Sequence, residues 1–263
     1  MRVVADEATK DWSSELYLKF EAERTRAARD LLARVELSAP GRIVDLGCGP
    51  GNSTELIVEA WPDARVTGVD FSPGMIEAAR RRAPGATFLE TKIETWRSDA
   101  PLDLIFSNAA LHFVADHREI LVRLTGQLAP GGVLAVQMPD ATHEICHAAM
   151  RMAAVDGPWA DRLAPIAKTQ AVLASPEEYY RMLRPLCSSI DIWETTYVHP
   201  LAGPEGVVEW FEGSGLRPFL APLTQAERVA FLGRYRRELS AYPLQPDGKL
   251  LLFYPRLFFV LVR

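Results

Sequence analysis

An apolar run, Ile43-Val44-Asp45-Leu46, enters the turn Gly47-Cys48-Gly49-Pro50-Gly51-Asn52-Ser53. Fewer than twenty residues later a second apolar run, Val66-Thr67-Gly68-Val69, ends in Asp70. A strand, a tight glycine turn, a helix and a strand ending in an acid make up the nucleotide-binding half of an α/β sheet. Glycine has no Cβ, so the turn lets a ligand approach the backbone closely. Asp70 is placed to accept hydrogen bonds from a ribose diol. It also precedes Ser72-Pro73 and can serve the turn into the next helix, a role compatible with the first. The spacing is not the dinucleotide pattern G-x-G-x-x-G, because the third glycine comes one residue early and Asp45 stands ahead of the first.

The same punctuation continues along the chain. Residues 42–46, 64–70, 87–90, 102–108 and 133–138 read as strands, and 13–34, 52–60, 73–82 and 116–128 as helices. Ser72 is suited to cap the third of these helices, with Pro73 in its first turn. Pro130-Gly131-Gly132 reads as a turn. Strands alternating with helices predict a doubly wound parallel sheet. Beyond it, 142–155 reads as a helix, 158–171 as a lid or loop, and Ser175-Pro176 as another helix start. Two further strands, 190–198 and 250–262, bracket an excursion with helices at 204–211 and 224–239. An excursion of that kind is a natural place for substrate recognition.

At 263 residues, with 48% hydrophobic and 24% charged residues, the chain suits one globular α/β unit with insertions. A net charge of −5 without a Lys/Arg block argues against general binding to nucleic acid or anionic membranes. The N-terminal residues lack an apolar segment, so no signal peptide is expected. The greasy stretch 250–262 is too short to span a bilayer. Three widely spaced cysteines, Cys48, Cys146 and Cys187, suit a reducing cytoplasm.

Two constellations invite specific chemistry. The fourth strand ends in Ser107-Asn108-Ala109-Ala110-Leu111-His112. Ligands bind beyond the carboxyl ends of parallel strands, which puts Asn108 and His112 at the rim of the site. His143-Glu144-Ile145-Cys146-His147 matches H-E-x-x-H, but it follows a nucleotide sheet and has no third ligand at a familiar spacing. It reads as a chance match, and no metal is expected. Among the many arginines of the second half, Arg217 and Arg256 read as lying in irregular stretches, where a guanidinium can hold a carboxylate by two bonds.

The run Asp45-Leu46-Gly47-Cys48-Gly49-Pro50-Gly51 with Asp70 resembles motif I of the class I S-adenosylmethionine-dependent methyltransferases. Asp11-Trp12, the stretch 133–140, Gly215-Leu216-Arg217-Pro218, Tyr242-Pro243-Leu244-Gln245 and Tyr254-Pro255-Arg256-Leu257-Phe258 resemble a narrower family within that class, the trans-aconitate methyltransferases. The resemblance implies a mostly parallel seven-stranded sheet with N-terminal helices and a helical insertion before the last strand. It implies one domain over 1–263, with a lid at 13–36, a cofactor core at 42–138 and substrate-recognition elements at 139–263. By the same likeness S-adenosylmethionine is the methyl donor and a carboxylate of trans-aconitate, a small polycarboxylate, the acceptor. Asp45, Gly47, Gly49, Asn52 and Asn108 line the cofactor, Asp70 holds its ribose, and Phe71, Met75 and Ile93 flank its adenine. The position before Ile93 departs from the class pattern: Lys92 stands where an acid commonly bonds the adenine amino group.

A carboxylate with a pKa of roughly 4 is already ionised at neutral pH, so the reaction needs no general base. Catalysis then rests on proximity and orientation in a water-poor site, with His112 as a possible contributor. Tyr17, Arg24, Arg217 and Arg256 are the candidate substrate residues, with Arg26 beside them on the N-terminal helix. A different small polycarboxylate as acceptor, a non-catalytic S-adenosylmethionine-binding protein and a nicotinamide oxidoreductase are the alternatives that remain open.

Overall fold

The computed structural model describes residues 20–168 and 172–263. Tyr17 and the start of the expected lid, residues 13–19, therefore lie outside the described residues. Within them, seven strands form one sheet in the order β3-β2-β1-β4-β5-β7-β6. These are β1 (Arg42–Leu46), β2 (Arg65–Asp70), β3 (Thr87–Glu90), β4 (Leu102–Asn108), β5 (Leu128–Pro139), β6 (Ser189–Leu201) and β7 (Leu250–Val262). The first five run parallel, and β7 runs antiparallel to both β5 and β6. The strand order reverses between β1 and β4, and in such sheets ligands bind in the crevice at that reversal.

Helices α1 (Glu21–Leu32) and α2 (Asn52–Ala60) cover one face. Ala27, Ala28 and Leu31 of α1 and Ile57 of α2 are buried there against Ile43, Phe106 and Phe258. Helix α3 (Pro73–Arg82) buries Ile76 and Ala79 with Phe88 and Cys48. Ser72 caps it by accepting a hydrogen bond from the Met75 amide at 3.4 Å, with Pro73 in the first turn. On the opposite face α4 (His117–Gly126) and α7 (Pro176–Leu183) pack Leu121, Leu124, Tyr179 and Leu183 onto Ile105, Leu134 and Phe259.

The remaining helices are α5 (Ile145–Val155), α6 (Ala160–Lys168), α8 (Gly203–Glu212), α9 (Arg217–Leu220) and α10 (Gln225–Leu239). They bury a second core that includes Met150, Trp159, Trp210, Phe219, Phe231 and Tyr235. The stretch expected as a lid or loop is largely α6, despite Pro165 inside it, because Leu163 and Ala167 are buried in this second core. The expected Pro130-Gly131-Gly132 turn sits within β5, where the register with β4 shifts between Leu102 and Leu104. No helix among the described residues is long and apolar enough to cross a membrane.

Candidate active site

A cavity of about 420 Å³ opens at the carboxyl ends of the parallel strands. That volume falls within the range of small-ligand pockets. One wall is the glycine turn. Gly47 has φ 73°, and a Cβ there would come within 2.1 Å of the Ala110 Cβ. Gly49 has φ 53°, and a Cβ there would meet nothing within 4 Å, so its backbone faces open space. The turn is pinned by the Gly47 and Cys48 amides, which both donate to the Val69 carbonyl.

Asp70 closes this wall. Its two carboxylate oxygens accept from the Gly49 amide at 3.0 Å and the Ser72 amide at 2.9 Å. Each oxygen keeps a further lone pair for a ligand hydroxyl. Burial raises the Asp70 pKa, against the lowering effect of the backbone amides around it. Asp45, by contrast, does not line the cavity. It is fully buried and accepts from the hydroxyls of Ser53 at 2.7 Å and Thr54 at 2.6 Å. Its place is behind the turn, tying β1 to the start of α2. Burial pushes its pKa up to about 6 despite those two hydroxyls.

Of the other residues expected around a cofactor, Asn52, Phe71, Met75, Ile93 and Asn108 all line the cavity. Phe71 is 46% exposed and stands at the mouth. Lys92 and Glu94 are exposed on the same rim. The Asn108 Oδ1 is buried without a hydrogen-bond partner among the described residues. Open backbone at Gly49, spare acceptors on Asp70 and this amide oxygen together fit a nucleoside bearing a polar tail.

The far wall carries positive charge. Arg24 and Arg256 are buried at 8% and 3% exposure, and both line the cavity. Arg24, on α1, donates to the Trp210 carbonyl of α8 at 2.9 Å and lies 5.3 Å over the Trp210 ring. Arg256 does not lie in an irregular stretch. It sits inside β7, opposite Pro139 of β5 and Thr195 of β6. Pro255 is tolerated beside it because β5 ends at Pro139, so no ladder bond is asked of its nitrogen on that side. The Arg256 guanidinium lies 4.9 Å over the ring of Tyr254 and 5.6 Å over that of Tyr197. Arg217 opens α9 and is not among the residues lining the cavity. Arg26 is exposed, is not among the residues lining the cavity, and lies 5.0 Å over the Tyr197 ring.

His112 also lines the cavity. Burial, then the charge of Arg256, hold its pKa down to about 3, so the ring is neutral at physiological pH. It can offer or accept a hydrogen bond but stores no proton for acid catalysis. The two histidines of the H-E-x-x-H match do not face each other across one helical turn. His143 precedes α5, whose cap is Glu144, and His147 packs edge-on against Phe211 at 5.0 Å. No group of three or more His, Cys, Asp or Glu side chains gathers as metal ligands among the described residues.

Several lining residues escape a sequence reading, among them Thr25, Glu94, Trp210, Ser214 and Tyr254. Most come from elements distant from the glycine turn, so only tertiary packing reveals them. Gln137 did carry a signal, as a lone amide in an otherwise apolar strand, the pattern of a buried group with a partner to satisfy.

A family model described as a methyltransferase domain matches residues 43–132, the span from β1 into β5. The YcgJ protein from Bacillus subtilis shares the fold, with a TM-score of 0.59 at 15% identity over 90% of this chain and 98% of that one. Two curated relatives are much nearer in sequence. Trans-aconitate 2-methyltransferase of Rhodopseudomonas palustris is 52% identical over 95% of this chain and 98% of its own. The enzyme of the same name from Yersinia pestis is 48% identical over 95% and 98%. On this likeness, which covers nearly the whole chain, the chain belongs to the trans-aconitate 2-methyltransferase family.

Proposed function

We propose that this protein transfers the methyl group of S-adenosylmethionine to a carboxylate of trans-aconitate, giving a monomethyl ester and S-adenosylhomocysteine. The observation that carries the reading is the asymmetry of the cavity. A nucleoside-type wall built on Gly49 and Asp70 faces a buried pair of guanidinium groups, Arg24 and Arg256. Relatives of about 50% identity that carry this name span nearly the whole chain, which supports the same substrate.

When bound, the cofactor supplies a methyl carbon on a sulfonium; the acid's oxygen bonds to that carbon while the carbon–sulfur bond breaks and sulfur keeps the electron pair. In this reading Asp70 takes the ribose hydroxyls, while Phe71, Met75 and Ile93 pack the adenine. Asn52 and Asn108 line the polar end, and Asp45 holds the turn from behind. Arg24 and Arg256 hold the carboxylates that do not react, because an unpaired carboxylate in such a pocket costs several kcal/mol. His112, being neutral, orients the acid by hydrogen bonding. No residue has to take a proton, since the nucleophile is already ionised. Helix α1 closes the cavity from outside and acts as the lid of a single catalytic unit, and recognition of the acid is shared between Arg24 and His112 before residue 138 and Arg256 after it. The free cysteines, two of them buried, suit the cytoplasm.

The test is transfer of labelled methyl to trans-aconitate beside cis-aconitate, citrate and isocitrate, followed by mild base. Trans-aconitate is the preferred acceptor, and base releases the label as methanol. A base-stable product, or no transfer to any of the four acids, refutes the reading.

A further inference from the structure

Gln137 is fully buried in β5 between the apolar residues Val136 and Met138. A buried amide is costly unless its polar atoms are engaged. Its Oε1 accepts a hydrogen bond from Arg256 Nη1 at 3.1 Å. Its Nε2 has no hydrogen-bond partner among the described residues. Its backbone carbonyl accepts from the Ala109 amide at 2.9 Å. Ala109 is the only non-glycine residue with positive φ among those described, at 54°, and it lines the cavity next to Asn108. One residue thus holds the guanidinium wall through its side chain and the nucleoside wall through its main chain.

The choice of an amide has a physical consequence. The rings of Tyr254 and Tyr197, 4.9 and 5.6 Å from the Arg256 guanidinium carbon, hold it by cation–π attraction, which does not itself set the direction of the fork. An acceptor on Nη1 sets that direction, and with it how the planar fork meets a carboxylate. A glutamate could do the same, but its charge would pair with Arg256 and repel an anionic acid. A neutral acceptor holds the guanidinium without cancelling its charge. We infer that Gln137 is a positioning residue for acid recognition, setting the orientation of Arg256 without touching the acid. The inference rests on the reading that the acid's carboxylate binds at Arg256.

The test is a double-mutant cycle between Gln137→Met and Arg256→Lys, with wild type first assayed on the four acids and the best acceptor carried forward. Gln137→Met raises KM for that acid at least tenfold, with the Kd of S-adenosylhomocysteine by calorimetry within about threefold of wild type. In the Arg256→Lys background, where no planar fork remains to orient, the same change moves KM less than twofold. Equal effects in both backgrounds would overturn the inference, because a residue that only supports the strand acts regardless of its neighbour. Gln137→Glu, which keeps shape and acceptor, covers the case that the Met variant fails to fold. It raises KM further at unchanged cofactor affinity, and a wild-type KM in it also overturns the inference. If wild type uses none of the acids, the proposed function falls. Gln137 is then judged by a crystal structure of the Met variant, in which an unmoved Arg256 guanidinium counts against it.

Discussion

Asp70 and Asp45 show how two carboxylates 25 residues apart serve one turn differently. Asp70 faces the cavity with a spare lone pair on each oxygen, whereas Asp45 spends itself on Ser53 and Thr54 behind the turn. Replacing Asp70 by Ala removes charge-assisted bonds to a ribose diol and is expected to weaken S-adenosylmethionine binding by about 2–3 kcal/mol. Calorimetry on the folded variant measures this, and near-wild-type affinity would reject the assignment. Asp45 gives a prediction in pH. Its folded pKa of about 6 lies above the ordinary value of 3.8, so between those values the folded state holds more protons than the unfolded chain. Stability contributed by this group is therefore greatest below pH 4 and declines as pH rises through 6, by on the order of 2–3 kcal/mol. Asn at this position cannot ionise, so the unfolding free energy of wild type minus Asp45→Asn falls by that amount from pH 4 to pH 7. A pH-independent difference in urea titrations would show that Asp45 ionises as easily in the fold as out of it.

Helix α1 is the element on which the site most depends. Asn52, at the start of α2, donates to Glu21 at 3.0 Å and Thr25 at 3.1 Å, and Glu21 also pairs with Arg82 of α3. Arg24 reaches the Trp210 carbonyl, and Tyr197 of β6 donates to Asp30 at 2.5 Å. Asn52→Ala removes two hydrogen bonds of about 1 kcal/mol each. Amide exchange over 21–32 in the cofactor-free protein is accordingly expected to speed up about tenfold or more, with the sheet unchanged. Exchange at the wild-type rate would show that apolar packing of Ala27, Ala28 and Leu31 alone holds the helix. The nucleotide half of this molecule was legible in the sequence because its signals are local: Ser72 caps, Pro73 opens a helix, and Gly47 and Gly49 turn the chain within a few residues. The acid-facing half was legible only in part: Arg24 and Arg256 could be named as candidates, but that they share one cavity with Trp210 while Arg217 does not line it is set by tertiary packing of α1, α8, α9 and β7. Pro255 and Pro165 misled for one shared reason. Proline disfavours strand and helix interiors, yet β7 needs no ladder bond at Pro255, and α6 gains buried apolar surface that offsets Pro165.

At the scale of the whole molecule, charge poses a conflict. The chain carries a net −5, so at long range it repels a polyanionic acid. At the cavity the balance reverses, with Arg24, Lys92 and Arg256 set against Asp70 and Glu94. Screening separates these contributions, because the Debye length is about 30 Å at 0.01 M salt and about 8 Å at 0.15 M. Raising salt across that range removes most of the far-field repulsion but little of the attraction from buried guanidinium groups. For trans-aconitate, kcat/KM is therefore expected to hold steady or rise by up to about twofold between 10 and 150 mM salt. Enzymes that steer anions with an electropositive surface behave oppositely and lose rate with salt. Steady-state kinetics at fixed pH and saturating cofactor reads the sign directly. A fall of fivefold or more would mean that exposed cations at the mouth, Lys92 first among them, draw the acid in from a distance. The buried pair would then serve only to hold it.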